Sequence, residues 1–477
     1  MSEPTLSRRL AAFAADLRFE DLPAEVVDKA KGCVFHNVTA ALLGIPTPIG
    51  RGSTDLAVRE ESTPEGARLI GSNQRVSRVG AAFANSAYMN VTNQCDSYYM
   101  LTHPGPCIVP GALAVADVEG ASGGDVLTAL VAGYEVQSRV ARDVIATAQS
   151  RGFRSAPVFG ILGAAIASAK LLGHDEEGIH DALALATTTA AGTLESARRG
   201  TMEYRFHETM AARNGTQAAI YAPVLSPTAD TCLEGDAGFL NAFTHDTQGA
   251  LTYGYGGEGG QADLSQIVAD LGERWELFNV AFKPFPTPGY NNPVVLLLHR
   301  MIDEHGFTHE DVEAVDVDLN WLETSYPSPR TPRPALRQRR TGTTFYVVAQ
   351  VLVEGRHPMH GQWFEQTLGS GRGGDRRSDP RIPEIMERIT VEGSTDRSYF
   401  TPRIRVRLLD GTVLEDELAG DELKVGLEAD IERMRPVAEA TVNGPEGFEH
   451  FIEAVRGLDG ADSVDALFEA CTAVASR

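Results

Sequence analysis

The sequence predicts a mainly α protein: a large all-helical domain with an inserted smaller α+β domain. Three observations lead there. Helical periodicity runs almost unbroken through the first half of the chain. Short alternating segments, with helices between them, occupy residues 276–426. From residue 427 the pattern returns to helix, so domains are expected at 1–275, 276–426 and 427–477, the last rejoining the first. A chain of 477 residues also exceeds what one simple hydrophobic core organises.

The elements follow in order. Pro23 opens a helix behind Asp21, with Val26, Val27, Ala30, Val34, Val38 and Leu42 at helical spacing until Gly44 and Pro46 stop it. A short apolar helix is predicted over 110–118. Ser122, with Asp125 three residues on, reads as the N-cap of a helix over 126–145. Two stretches rich in Ala and Gly, 158–172 and 179–192, are predicted as close-packed central helices, followed by another over 210–225. In the later region, VEAVDVDLNW, RITVEGS and RIRVRLLDGTVLEDEL read as strands, the last a hairpin turning at Asp410-Gly411. Helices are expected at 292–304 and 344–353, and a loop rich in Gly, Arg and Asp at 369–381.

Charge and cysteine usage narrow the function. Lys+Arg number 42 against Asp+Glu 65, a net charge of −23, which argues against nucleic acid and anionic membrane surfaces. Hydrophobic residues at 43% and charged residues at 22% exclude wholesale disorder. Cys33, Cys95, Cys107, Cys232 and Cys471 are scattered and odd in number, which disfavours a disulfide framework or a cysteine-rich zinc site. The first residues meet acids before any apolar stretch develops, so a secretory signal is not expected and the protein is predicted to be cytoplasmic. With only five lysines, at 29, 31, 170, 283 and 424, any lysine in a chemical setting carries weight.

Some motifs match known chemistry in letters only. Gly120-Ala-Ser122-Gly-Gly124 has the spacing of a hydrolase elbow but follows a helical pattern rather than a strand. Gly254-x-Gly256-x-x-Gly259 lacks the strand that a dinucleotide site requires. His357-x-x-His360 has no acidic partner nearby and adjoins Pro358, so no metal is expected. The segment NSAYMNVTNQCDSYYMLTHPGPC (85–107) is different: Asp96, Ser97, Tyr98, Tyr99, Thr102 and His103 bring an acid, hydroxyls and an imidazole within eight residues. An imidazole near neutral pKa is a ready proton-transfer group, and a neighbouring acid can fix its tautomer. An ordinary loop with a surface histidine has the same composition.

That segment and those after it resemble the MmgE/PrpD family, which includes 2-methylcitrate dehydratase, cis-aconitate decarboxylase and iminodisuccinate epimerase. The matching stretches are the Asp96–Ser97 loop with HPG at His103, EGASGGDVLTALVAGYEVQSRVA (119–141), GFRSAPVFGILGAAIASAKLLG (152–173), RFHETMAARNGTQAA (205–219), CLEGDAGF (232–239) and KPFPTPG (283–289). The resemblance implies a helical domain plus an α+β lid, a homodimer, no cofactor, and a site in the cleft between the domains. It implies catalytic roles for His103, Asp96 and Lys283, and a lid tyrosine at Tyr326. Asn93 and Cys95 stand where the family carries acids, and Ser97 replaces a threonine. The family's GFH reads Gly152-Phe153-Arg154, and its KRLH-like motif reads Tyr204-Arg205-Phe206-His207. Two family groups, a histidine and a lysine, are thus replaced by Arg154 and Tyr204.

Family chemistry moves a proton next to a carboxylate or carbonyl, and the resulting enolate-like charge needs fixed cations. Arg154, Arg205 and Lys283 are the candidates; His103, oriented by Asp96, is the acid or base, with Tyr326 or Tyr204 supplying a second proton. Ser97, Asn93, Arg154, Arg205 and His207 are expected to bind substrate. The expected activity is a lyase, dehydratase before decarboxylase, acting on an acid less anionic or bulkier than methylcitrate. An isomerase or epimerase of the same fold, or a binding protein without catalysis, are the alternatives.

Overall fold

The computed structural model describes residues 3–199, 201–326, 343–360 and 379–472. These residues form two compact units. The first comprises the described residues of 1–254, 259–282 and 426–477, and the second those of 255–258 and 283–425. The fold is mainly α. No single helix among the described residues is long and apolar enough to cross a membrane.

The first unit is built on apolar helices that pack around the Gly105–Glu119 and Ser155–Leu171 helices, both buried along nearly their whole length. Small residues allow this approach. A Cβ on Gly163 would lie 2.5 Å from Ile108 and 2.7 Å from the Gly133 carbonyl, so backbones meet there with no room for a side chain. The predicted cap at Ser122 is present as a reciprocal capping box with Asp125, which removes it from any nucleophilic role.

Two helix boundaries and one strand pair depart most from the sequence reading. The apolar helix expected from residue 110 begins at Gly105 and keeps Pro110 inside it. Pro110 cannot donate to the Pro106 carbonyl, and the Ser86 hydroxyl supplies that bond instead, at 2.5 Å. The helix expected over 210–225 spans Arg205–Tyr221, because the polar residues of its first turns are buried as pairs and Pro223 halts it early. An antiparallel pair, Ser62–Arg68 with Arg75–Val76, interrupts the helical half where no strand was expected.

The second unit contains a four-stranded sheet in the order Val413–Glu417, Arg403–Leu408, Val312–Asn320, Ile389–Ser394. The predicted hairpin turns at Asp410-Gly411, where Gly411 takes φ +89°. The last pair is parallel, and the chain between its strands passes through the Thr344–Glu354 helix, the crossover that parallel pairing requires. Ile404 and Val406 alternate inward and pack with Val315, Val317, Val347 and Val351 in one core. Of the loop expected at 369–381, residues 369–378 lie outside the described residues.

Candidate functional site

The Arg78–Val91 helix ends with Asn93 in the left-handed region, φ +63°, its N–H donating to the Asn90 carbonyl at 3.2 Å. Asn93 therefore serves as the helix stop, half-buried. The chain then pairs Ser97–Tyr98 with Val280–Ala281 and folds back, Tyr98 and Thr102 exchanging both main-chain bonds at 2.9 and 3.2 Å. Between them Tyr99 and Met100 have φ +46° and +63°. Two consecutive non-glycine residues in the left-handed region cost energy and persist only where the surroundings enforce them. This tight reversal delivers His103 to a half-buried position at the start of the Gly105–Glu119 helix.

Asp96 enforces the reversal. It is fully buried, and its carboxylate accepts from the Tyr134 hydroxyl at 2.6 Å, the Gly105 N–H at 2.8 Å and the Asn37 amide at 3.0 Å. The Gly105 N–H is one of the orphan donors of its helix, so the carboxylate also sits at the positive end of that dipole. Gly105 has to be glycine, since a Cβ would lie 2.1 Å from the Asn37 side chain. Asp96 meets His103 through the main chain and not through the expected carboxylate: His103 Nδ1 donates to the Asp96 carbonyl at 3.0 Å, while the carboxylate is committed to the three donors above. With the proton on Nδ1, the neutral ring carries its lone pair on Nε2. Ser97 is fully buried and its hydroxyl donates to the Thr102 carbonyl at 3.4 Å.

The Gly123–Ala141 helix braces this loop from one side. Tyr134 holds Asp96, and Gln137, three residues on, donates to the Thr102 hydroxyl at 3.4 Å. Another face carries the fully buried Glu135–Arg139 pair, 3.0 Å, which also binds the Leu277 N–H and the carbonyls of Ala269 and Arg274. That fixes the segment supplying Glu276, which accepts from the Tyr98 hydroxyl at 2.7 Å.

A second group of predicted residues gathers at the start of the Ser155–Leu171 and Arg205–Tyr221 helices. Arg154 precedes Ser155, whose hydroxyl donates to the Leu101 carbonyl two residues before His103. Its guanidinium pairs with Glu208 at 2.5 Å, donates to the Tyr204 carbonyl at 3.2 Å and lies 5.4 Å from the Tyr204 ring. Arg205 stacks on the same ring at 4.6 Å and donates to the Asn90 carbonyl. Asn90 in turn donates to Glu208 at 3.1 Å. Burial, reinforced by the charge of Arg154, holds the half-buried His207 below the ordinary imidazole range. The structure thus brings His103, Asp96, Ser97 and Asn93 together in one loop, and Arg154, Tyr204, Arg205 and His207 beside it.

Lys283 and Tyr326 belong to the second unit. Lys283 is 2% exposed and begins that unit; Tyr326 packs its ring 6.2 Å from Tyr290. In the same unit His357 is buried, its Nδ1 donating to the Pro358 carbonyl at 2.8 Å.

Several site residues were missed from sequence. Asn37 and His36 sit among the buried Cys33, Val34, Phe35 and Val38 of the Ala24–Gly44 helix, a polar interruption that signalled a buried contact. His36 Nδ1 lies 2.9 Å from Asp430, both side chains fully buried. Lys29, 2% exposed, rests its ammonium 3.8 Å from the centre of the Phe282 ring. Glu208 was quoted only within its motif, with no role assigned.

Residues 8–251, more than half the chain, match the profile of the MmgE/PrpD N-terminal domain. The chain belongs to the MmgE/PrpD family. Among curated relatives, it is 29% identical over 338 residues to the cis-aconitate decarboxylase-like protein oryM of Aspergillus oryzae, covering 68% of this chain and 63% of that protein. It is 28% identical over 293 residues to cis-aconitate decarboxylase of Aspergillus terreus, 60% of this chain and 57% of that protein. With the human cis-aconitate decarboxylase it shares 26% over 242 residues, 49% of this chain and 50% of that protein. The matched region therefore spans less than two thirds of these relatives' lengths. The family-matched residues 8–251 include the loop that carries His103.

Proposed function

We propose that this protein is a lyase that moves a proton next to a carboxylate or carbonyl of a small organic acid, with His103 as the acid or base. The observation that carries the reading is the His103 Nδ1 bond to the Asp96 carbonyl, made in a strained loop held through Asn37, Gly105 and Tyr134. A fixed tautomer leaves Nε2 as the atom that takes or returns the proton, and a preset ring avoids the reorganisation that a mobile histidine would need at each turnover.

The names of the relatives favour decarboxylation. There the bond to the departing carboxylate breaks, its electron pair enters an enolate-like intermediate, and protonated His103 delivers a proton to the carbon. Dehydration uses the same group in the opposite sense: His103 removes the proton next to the carboxylate as hydroxide leaves with a second proton. Arg205 provides positive charge for the intermediate, and Tyr204 is assigned the second proton through the family resemblance. These steps call on side chains alone, and a homodimeric, cytoplasmic enzyme remains part of the proposal.

Incubation with small unsaturated and hydroxy acids, followed by proton NMR, tests it. Loss of carbon dioxide or water from one of them, abolished in His103→Asn, is the expected result. Exchange of solvent deuterium into an acid with no net elimination would instead favour an isomerase. Binding with neither exchange nor elimination would favour a non-catalytic binder.

A further inference from the structure

Two arginines stand next to the His103 loop, and one of them is already neutralised. Glu208 is fully buried on the first turn of the Arg205–Tyr221 helix. One carboxylate oxygen lies 2.5 Å from Arg154, and the other accepts from Asn90 at 3.1 Å. The side chains of Arg154 and Glu208 are 8% and 0% exposed, so water does little to screen the pair. Nearby His207 is held toward its neutral form by burial and by Arg154. Among Arg154, Arg205, His207 and Glu208 the charges therefore sum to a single positive unit, that of Arg205, whose own guanidinium is partly engaged by the Asn90 carbonyl and the Tyr204 ring.

Such a corner suits one negative charge. Bringing in a second or third carboxylate would require Arg154 to leave Glu208, and an abandoned buried carboxylate is costly. We infer that Glu208 is a specificity-determining residue, which engages Arg154 and restricts the organic acid bound beside His103 to a monocarboxylate. This rests on the proposed acid-binding site, but it makes a separate claim about charge count.

The test measures affinity rather than turnover. Crotonate, maleate and cis-aconitate carry one, two and three carboxylates on related unsaturated skeletons, and calorimetry with the intact wild-type chain ranks them directly. Wild type is expected to bind crotonate more tightly than cis-aconitate by about tenfold, the worth of roughly one unfavourable charge contact. Glu208→Gln keeps the shape and releases Arg154, so it should move the ratio at least about tenfold toward cis-aconitate. Tighter binding of cis-aconitate than crotonate by wild type would overturn the inference, even if the variant failed to fold. So would an unchanged ratio in a folded variant. His103→Asn separates the two claims: it should end turnover and leave the affinity order as it was.

Discussion

His103 and Asp96 are joined ring to main chain: Nδ1 of the histidine donates to the carbonyl of the aspartate at 3.0 Å. The Asp96 side chain holds the loop, and its backbone holds the ring. A single residue thereby sets both the position and the tautomer of the candidate proton-transfer group.

Tyr134 contributes one of the three bonds to the buried Asp96 carboxylate. In Tyr134→Phe the carboxylate keeps its burial and loses that donor. Chemical denaturation should show a loss of about 1–3 kcal/mol. The acid-dependent activity should fall through kcat more than through KM, because the ring loses placement rather than contact with substrate.

Gly105 abuts Asn37 so closely that a methyl group would meet its side chain at 2.1 Å. Gly105→Ala should displace Asn37 from Asp96 and destabilise the fold by about 1–3 kcal/mol, the usual range for overpacking. Gly120→Ala, at a position with no neighbour within 4 Å of the added carbon but with φ +65°, is the comparison that separates crowding from backbone strain.

Much of this arrangement was legible in the sequence. The capping box at Ser122, the hairpin at Asp410-Gly411 and the loop bearing His103 depend on local chemistry, which short stretches of sequence record. The partners of Asp96 were not legible, because Asn37 and Tyr134 lie 59 and 38 residues away, on helices that only the fold brings to the loop. The charge state of the arginines was hidden for the same reason. Arg154 and Arg205 read as open cations until packing placed Glu208 and Asn90 against them.

Lys29 provides a test by pH. Burial, as the main cause, drags its ammonium down to about 8 from 10.5, with Cys33, Asp430, Asp96 and Asp28 partly opposing the shift. Because the folded value lies below the unfolded one, the unfolded chain binds more protons between them, and this group makes stability rise as pH goes from about 8 to about 10.5. Lys29→Met removes that term and leaves Cys33 in place. The unfolding free energy of wild type, measured relative to Lys29→Met, should therefore increase by about 3 kcal/mol across that window. A flat difference would mean that Lys29 is not held in the buried setting described.

The most direct test of His103 as the proton-transfer group is the rate at which solvent deuterium enters the carbon that His103 is proposed to protonate or deprotonate, compared between wild type and His103→Asn. The account predicts measurable incorporation by wild type and a loss of about a hundredfold or more in a variant that still folds and binds the acid. Equal incorporation by the two proteins would contradict it.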